Sequence, residues 1–140
     1  MGNGIGLYGR GVACVHRGVV NCLCWMQETY GLSADDRFLF KTTLNFDPSV
    51  WEVCWPLWVG GSLVAAEVGR QADVDYLVKL MAEQGVTSVY FVPSMLRAWL
   101  AAEGLEGLVG LRRVICGGEA VSAEVVRGYY QRVGAELHHS

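Results

Sequence analysis

Asp73-Val74-Asp75-Tyr76-Leu77-Val78-Lys79-Leu80-Met81-Ala82-Glu83-Gln84-Gly85-Val86-Thr87-Ser88-Val89-Tyr90-Phe91-Val92-Pro93-Ser94 holds, in order, a helix, a stop, a strand and the start of a second helix. Val74, Leu77, Val78 and Met81 recur at i, i+3, i+4 and i+7, which lines one helical face with apolar side chains. Asp73 opens this helix and Gly85 closes it. Val86 to Val92 is β-branched and aromatic, the composition of a buried strand. Pro93-Ser94 then starts a helix carrying Met95, Leu96, Trp99 and Leu100.

The same alternation continues in both directions. Toward the C-terminus come a glycine-rich loop from Gly104 to Gly110 and a short strand from Val114 to Cys116. Ser122 then caps a helix bearing Val125, Val126, Tyr129 and Tyr130, which Gly134 stops, and Glu136-Leu137-His138 reads as a last strand. Toward the N-terminus, Gly11 to Val15 is short and apolar. A helix follows from about Gly18 to Tyr30, with Val19, Leu23, Met26 and Tyr30 at helical spacing and Gly31 as its terminator. Arg37 to Phe46 reads as a strand in which Phe38 and Phe40 alternate with Arg37, Leu39 and Lys41. Asp47-Pro48 begins a helix, and Ser49 with Glu52 spells a capping box, which leaves the exact start open by two residues. Pro56 is expected to kink or end this helix, Gly60-Gly61 to break the chain, and Ser62 to Glu67 to form the next strand.

Strands separated by single helices imply an α/β fold: a mainly parallel sheet with helices on both faces. In such sheets ligands sit outside the C-terminal ends of the strands. Three turns lie there: Phe46 to Ser49, Val92 to Ser94, and Cys116 to Ala120.

The composition excludes several functional classes. The 140 residues carry 11 basic and 14 acidic side chains, a net charge of −3, which argues against non-specific nucleic-acid binding. A hydrophobic content of 52% excludes disorder. No apolar run is long enough to span a membrane; the strongest, Val53 to Val64, is interrupted by Pro56, Gly60 and Gly61. The first residues carry neither a secretory signal nor a myristoylation site. Cys14, Cys22, Cys24, Cys54 and Cys116 are odd in number and lack Cys-x-x-Cys spacing, so free thiols in the cytoplasm are expected rather than disulfides or zinc. Five Trp, six Tyr and four Phe imply either an aromatic-dense core or a piece of something larger.

Individual motifs carry different weight. Gly4-Ile5-Gly6-Leu7-Tyr8-Gly9 matches a dinucleotide fingerprint, yet only three residues precede it, too few for the strand that fingerprint requires. His138-His139 would point to opposite faces of a strand and has no thiolate or carboxylate at ligand spacing, so no metal is assigned. His16 reads as a structural or surface histidine at a strand end. Asp47 admits two roles: helix cap, or a carboxylate at the mouth of the sheet for a cationic ligand group. Gly117-Gly118-Glu119 is either a tight turn or a place where the backbone approaches a flat ligand.

Four ordered segments carry a resemblance to a known family. Phe46-Asp47-Pro48-Ser49-Val50-Trp51-Glu52 resembles the Phe-Asp-x-Ser-Val-Trp-Glu motif of nonribosomal peptide synthetase adenylation domains. Gly11 to Asn21 resembles their Lys-Gly-Val-x-x-x-His-Arg-Gly segment. Phe91 to Leu96 and Arg113 to Ala120 match two further segments, in order, and the similarity runs from about Gly11 to Leu137. The resemblance implies that the chain is part of the large N-terminal core of such a domain. It implies an enzyme that uses ATP and Mg²⁺ to convert an amino acid into an aminoacyl adenylate. The acyl group would then load onto the phosphopantetheine thiol of a carrier domain, with carrier and condensation domains as partners.

The resemblance also implies residue roles. Asp47 would hold the substrate α-ammonium. Pro48, Trp51, Tyr90, Ile115 and Gly117 would line the side-chain pocket, and Gly118, Glu119 and Ala120 would pack against adenine. No catalytic or metal-ligating residue is assigned within the chain. The family's phosphate loop, Thr-Ser-Gly-Ser-Thr-Gly-x-Pro-Lys-Gly, is replaced by Gly2 to Gly11, without its hydroxyls and with Arg10 for the lysine. Residues 1–10 therefore read as a disturbed remnant of that loop and 11–140 as a partial adenylation domain. The metal-binding Glu, the ribose-binding Asp and the lid lysine of the family are absent from these residues, so the chain is expected to be an internal fragment, inactive alone. The substrate amino acid is not specified by this pocket. An acyl-CoA ligase or aryl-acid activator of the same superfamily, or a non-catalytic α/β binding module, is the alternative; aryl-acid activators have no need of a carboxylate at Asp47.

Overall fold

A computed structural model describes residues 13–139; the Gly4–Gly9 stretch, the Gly2–Gly11 loop remnant and Gly11-Val12 lie outside them. The elements are α1 (His16–Tyr30), β1 (Arg37–Phe40), α2 (Pro48–Trp58), β2 (Ser62–Ala65), α3 (Val74–Gln84), β3 (Ser88–Phe91), α4 (Pro93–Leu100), a 3-10 turn (Leu105–Gly107), β4 (Arg113–Cys116), α5 (Ala123–Arg132) and β5 (Glu136–His139). The five strands form one sheet in the order β2-β1-β3-β4-β5, with every pair parallel. The expected α/β class with helices on both faces is therefore the one observed.

The period-2 geometry of strands divides the core into two layers. Leu39, Val89, Phe91, Val114 and Cys116 point to one face, where Leu77, Val78 and Met81 of α3, Leu96 and Trp99 of α4, and Val125 and Tyr129 of α5 cover them. Phe38, Tyr90 and Ile115 point to the other, under Leu23, Met26 and Tyr30 of α1 and Trp55 of α2. Burial on both faces explains why β3 is buried along its whole length.

Caps mark several helix ends where the sequence puts them. Asp73 accepts from the Tyr76 amide, and Ser122 from the Val125 amide. Gly31 and Gly85 take the left-handed conformation. Five expectations are corrected. Asp47 has helical backbone angles and makes no side-chain capping bond. Ser49 and Glu52 form no capping box, because the Glu52 carboxylate turns instead to Lys41 and Thr42. α2 runs two residues past Pro56 to Trp58; Trp55 and Pro56 are buried, and this packing outweighs the one backbone donor the ring removes. β1 ends at Phe40 rather than Phe46, and His16 opens α1 rather than ending a strand.

Under the N-terminal edge of the sheet, buried Asp36 gathers a polar network. It accepts from the Thr87 hydroxyl at 2.6 Å, the Ser33 amide at 2.8 Å and Arg113 Nη1 at 3.0 Å. Arg113 also donates to the carbonyls of Tyr30 and Gly31, which ties the end of α1 to β4.

Candidate functional site

The strand order reverses between β1 and β3: from β1 the chain steps outward to β2, and from β3 to β4 and β5. Such a reversal leaves a crevice at the C-terminal edge, because the connections leave on opposite faces of the sheet. Here the crevice is opened further. β1 and β3 pair at Phe38 and Ser88 alone, whereas β1–β2, β3–β4 and β4–β5 each pair over four residues.

Around that crevice the fold brings together most of the residues singled out in the sequence. Trp51, half-buried on α2, meets Tyr90 of β3 edge-on with ring centroids 4.8 Å apart. Tyr90 stands in register with Ile115 of β4. Gly117 follows β4, and its amide donates to the Phe91 carbonyl at 3.2 Å. Gly118 has φ of +90°, and a Cβ there would lie 3.5 Å from the Tyr90 hydroxyl oxygen. Gly118 thus leaves the space beside the Tyr90 hydroxyl free of a side chain. Burial pushes the Tyr90 phenol up to about 12, with the thiol of Cys116 and the carboxylates of Asp47 and Glu52 adding to it. Tyr90 is thus a neutral wall with a hydroxyl to offer.

Pro48 is buried at the start of α2, while Asp47 beside it is exposed. Four residues apart on one helical turn, Asp47 and Trp51 share a face. Glu119 and Ala120 are exposed beyond β4. Ala120 helps line a cleft of about 370 Å³ with Cys116, Val121, Val126, Tyr130, Leu137, His138 and His139. That volume lies within the roughly 300–1,000 Å³ of ligand pockets, and its lining is largely apolar. His139 Nε2 is 3.1 Å from the Glu119 carbonyl oxygen, and His138 Nε2 is 3.2 Å from the Glu136 carboxylate. Among the described residues no three His, Cys, Asp or Glu side chains converge as a cation site requires.

Two residues at the crevice escaped the sequence reading. Glu52 is fully buried, and its carboxylate accepts from the amides of Lys41 and Thr42 and from the Thr42 hydroxyl. Lys41 is buried too, with its ammonium 5.1 Å from the Phe91 ring centroid and 5.9 Å from that of Tyr90. Glu52 was concealed by its capping-box spacing and Lys41 by its polar place in an alternating strand. The available signal was that both stand within twelve residues of each other, around the Phe46–Glu52 motif.

Comparison with known proteins agrees with this geometry. The family model for AMP-binding enzymes matches residues 10–140. Vanchrobactin synthetase VabF of Vibrio anguillarum is 40% identical over 135 residues, which is 92% of this chain and 5% of that protein. The crystal structure of the nonribosomal peptide synthetase FmoA3 superposes with a TM-score of 0.83 at 27% identity, over 93% of this chain and 14% of that one. The structure of holo-PA1221, a protein containing adenylation and carrier (PCP) domains and bound to a vinylsulfonamide inhibitor, superposes with a TM-score of 0.67 at 27% identity, over 76% of this chain and 18% of that one. The chain thus spans a small part of the relatives it matches. The family model's match along nearly the whole chain, with these relatives and the shared fold, places this chain in the AMP-binding enzyme family, among the adenylation domains of nonribosomal peptide synthetases.

Proposed function

We propose that this chain forms the acyl-binding part of an adenylation domain that activates an amino acid. The observation that carries this reading is the state of Asp47. It stands at the topological switch point on the same helical face as Trp51, and its carboxylate is not spent on capping α2. A carboxylate free at that position suits a substrate α-ammonium. Pro48, Trp51, Tyr90, Ile115 and Gly117 form the side-chain pocket, and Gly118, Glu119 and Ala120 form the adenine wall beside the 370 Å³ cleft. In this assignment residues 11–140 belong to the adenylation fold and residues 1–10 to an altered phosphate loop.

The chemistry divides accordingly. The substrate carboxylate attacks the α-phosphorus of ATP, pyrophosphate leaves, and an aminoacyl adenylate forms. Such a step needs orientation and charge neutralisation more than covalent assistance. This chain supplies the orientation: an anchor for the ammonium and a shaped wall for the side chain. The acyl group then passes to the phosphopantetheine thiol of a carrier domain, with AMP as the leaving group. Carrier and condensation domains are the partners in this reading, Mg²⁺ is held outside the described residues, and the setting is the cytoplasm, where the five free thiols remain reduced.

The test is acid-dependent ATP–pyrophosphate exchange by a complete adenylation domain carrying residues 11–137. Exchange driven by an amino acid, and not by the same acid lacking its amine, is the expected result. Equal exchange with the deaminated acid would assign the site to an acyl- or aryl-acid activator.

A further inference from the structure

We infer that Glu52 and Lys41 are positioning residues that set the width of the acyl pocket by closing the gap between β1 and β3. This inference rests on the amino-acid-activation reading.

Beyond the end of β1, where it parts from β3, the backbone amides of Lys41 and Thr42 have no strand partner. A buried amide left unpaired is costly, so something must accept from it. Glu52 Oε2 accepts from both, at 3.2 and 3.0 Å, and Oε1 accepts from the Thr42 hydroxyl at 2.7 Å. Three bonds therefore fasten the exit of β1 to the middle of α2. That helix presents Asp47 at its start and Trp51 one residue before Glu52. Fixing Glu52 fixes the separation of Asp47 and Trp51 from the β3 wall.

Lys41 completes the arrangement from the other side. Its ammonium lies over Phe91 and near Tyr90, and among the described residues it makes no hydrogen bond and no ion pair within 4 Å. Burial drives the Lys41 ammonium down and the Glu52 carboxyl up, and each charge partly offsets the effect of burial on the other. The two are therefore coupled: removing one leaves the other as an uncompensated buried charge. Tyr90 neighbours both the Lys41 ammonium, 5.9 Å from its ring centroid, and Trp51, 4.8 Å away, which links the ammonium to the pocket wall.

The experiment compares wild type, Glu52→Gln and the double variant Lys41→Met/Glu52→Gln in two settings. In the 140-residue chain, amide hydrogen exchange should show Lys41 and Thr42 protected. Glu52→Gln should speed their exchange at least about tenfold while Val114 to Cys116 is unchanged, because a neutral carboxamide oxygen accepts from the two amides more weakly than a carboxylate oxygen does. Equal exchange at Lys41 and Thr42 in both forms overturns the inference. In a complete adenylation domain carrying residues 11–137, Glu52→Gln should raise the amino-acid KM by roughly 10- to 100-fold with the ATP KM within about twofold, and the double variant should recover about tenfold of that loss. A parallel rise in both KM values, or no recovery, would mean a general folding role and sink the positioning claim. Asp47→Asn in the same domain reports on the underlying reading separately: if it is silent while Glu52→Gln still splits the KM values, recognition by Asp47 fails and the positioning role stands.

Discussion

Asp47 and Glu52 show how the same local pattern conceals two different tasks. Both stand where a helix start wants acidic side chains; spacing reads Glu52 as part of a capping box and leaves Asp47 open between a cap and a carboxylate for a ligand. Neither caps α2: Asp47 adopts helical angles, and Glu52 is drawn inward by amides left without a strand partner where β1 ends and parts from β3. That separation is a property of strand order and is invisible in a six-residue window. Trp51, Tyr90, Ile115 and Gly117 were singled out through the resemblance of their segments to the family's, and the fold brings Trp51 against Tyr90 and Tyr90 into register with Ile115. Gly118 yields a prediction at this scale. Its φ of +90° opposes a side chain, while a Cβ added there would meet the Tyr90 hydroxyl oxygen at 3.5 Å, an ordinary contact. Gly118→Ala should cost about 1–2 kcal/mol in denaturant unfolding, and it should narrow the pocket. An unfolding midpoint equal to wild type would show that the turn relaxes.

At the scale of elements, α3, β3 and α4 were readable nearly to the residue, because a capped amphipathic helix, a glycine stop and a proline start leave little choice. The ends of β1 and α2 were not, since tertiary contacts decide them: the divergence from β3 stops β1, and buried Trp55 and Pro56 carry α2 onward. Gly61 marks where α2 must turn closely under β1. A Cβ there would lie 2.9 Å from the Asp36 carbonyl oxygen and 3.2 Å from those of Pro56 and Ser33. Gly61→Ala should therefore destabilise by about 1–3 kcal/mol, read from urea unfolding. The Asp36 network joins α1, β1, β3 and β4. Burial pushes the Asp36 carboxyl up, but the Thr87 hydroxyl, the Ser33 amide and Arg113 outweigh it and hold the group below the usual carboxylate range. A depressed folded pKa contributes stability above the unfolded value of about 3.9, and that contribution is lost as pH falls through the folded value. Wild type should lose stability below about pH 4 relative to Asp36→Asn, which lacks this titration. At neutral pH the variant should itself be weaker by about 2–4 kcal/mol, because Arg113 loses its counter-charge. Parallel stability–pH curves for the two proteins would remove Asp36 from the network's energetics.

For the molecule as a whole, the helices carry more apolar surface than the described residues hide. Trp25 of α1 and Val50, Leu57 and Trp58 of α2 are each 44–55% exposed. Patches of this kind bind hydrophobic dyes and promote association. The 140-residue chain should bind such a dye and self-associate as its concentration rises; a monomer with no dye binding would contradict this. The same chain should show no amino-acid-dependent exchange above a blank, because residues 2–11 lack the hydroxyls of the family's phosphate loop, and losing even one preorganised donor costs about 10²–10³ in rate. What ties the scales together is that separated segments of the sequence converge at one edge of the sheet, with Asp47 at its reversal. The most direct measurement of that claim is the exchange kinetics of Asp47→Asn against wild type in a complete adenylation domain carrying residues 11–137, with melting followed in parallel. Because Asp47 makes no capping bond, melting should be unchanged, while kcat/KM for the amino acid should fall roughly 30- to 4,000-fold, the worth of about 2–5 kcal/mol for a cation stripped of its partner. Efficiency kept within a few-fold of wild type would contradict recognition of the substrate ammonium at Asp47.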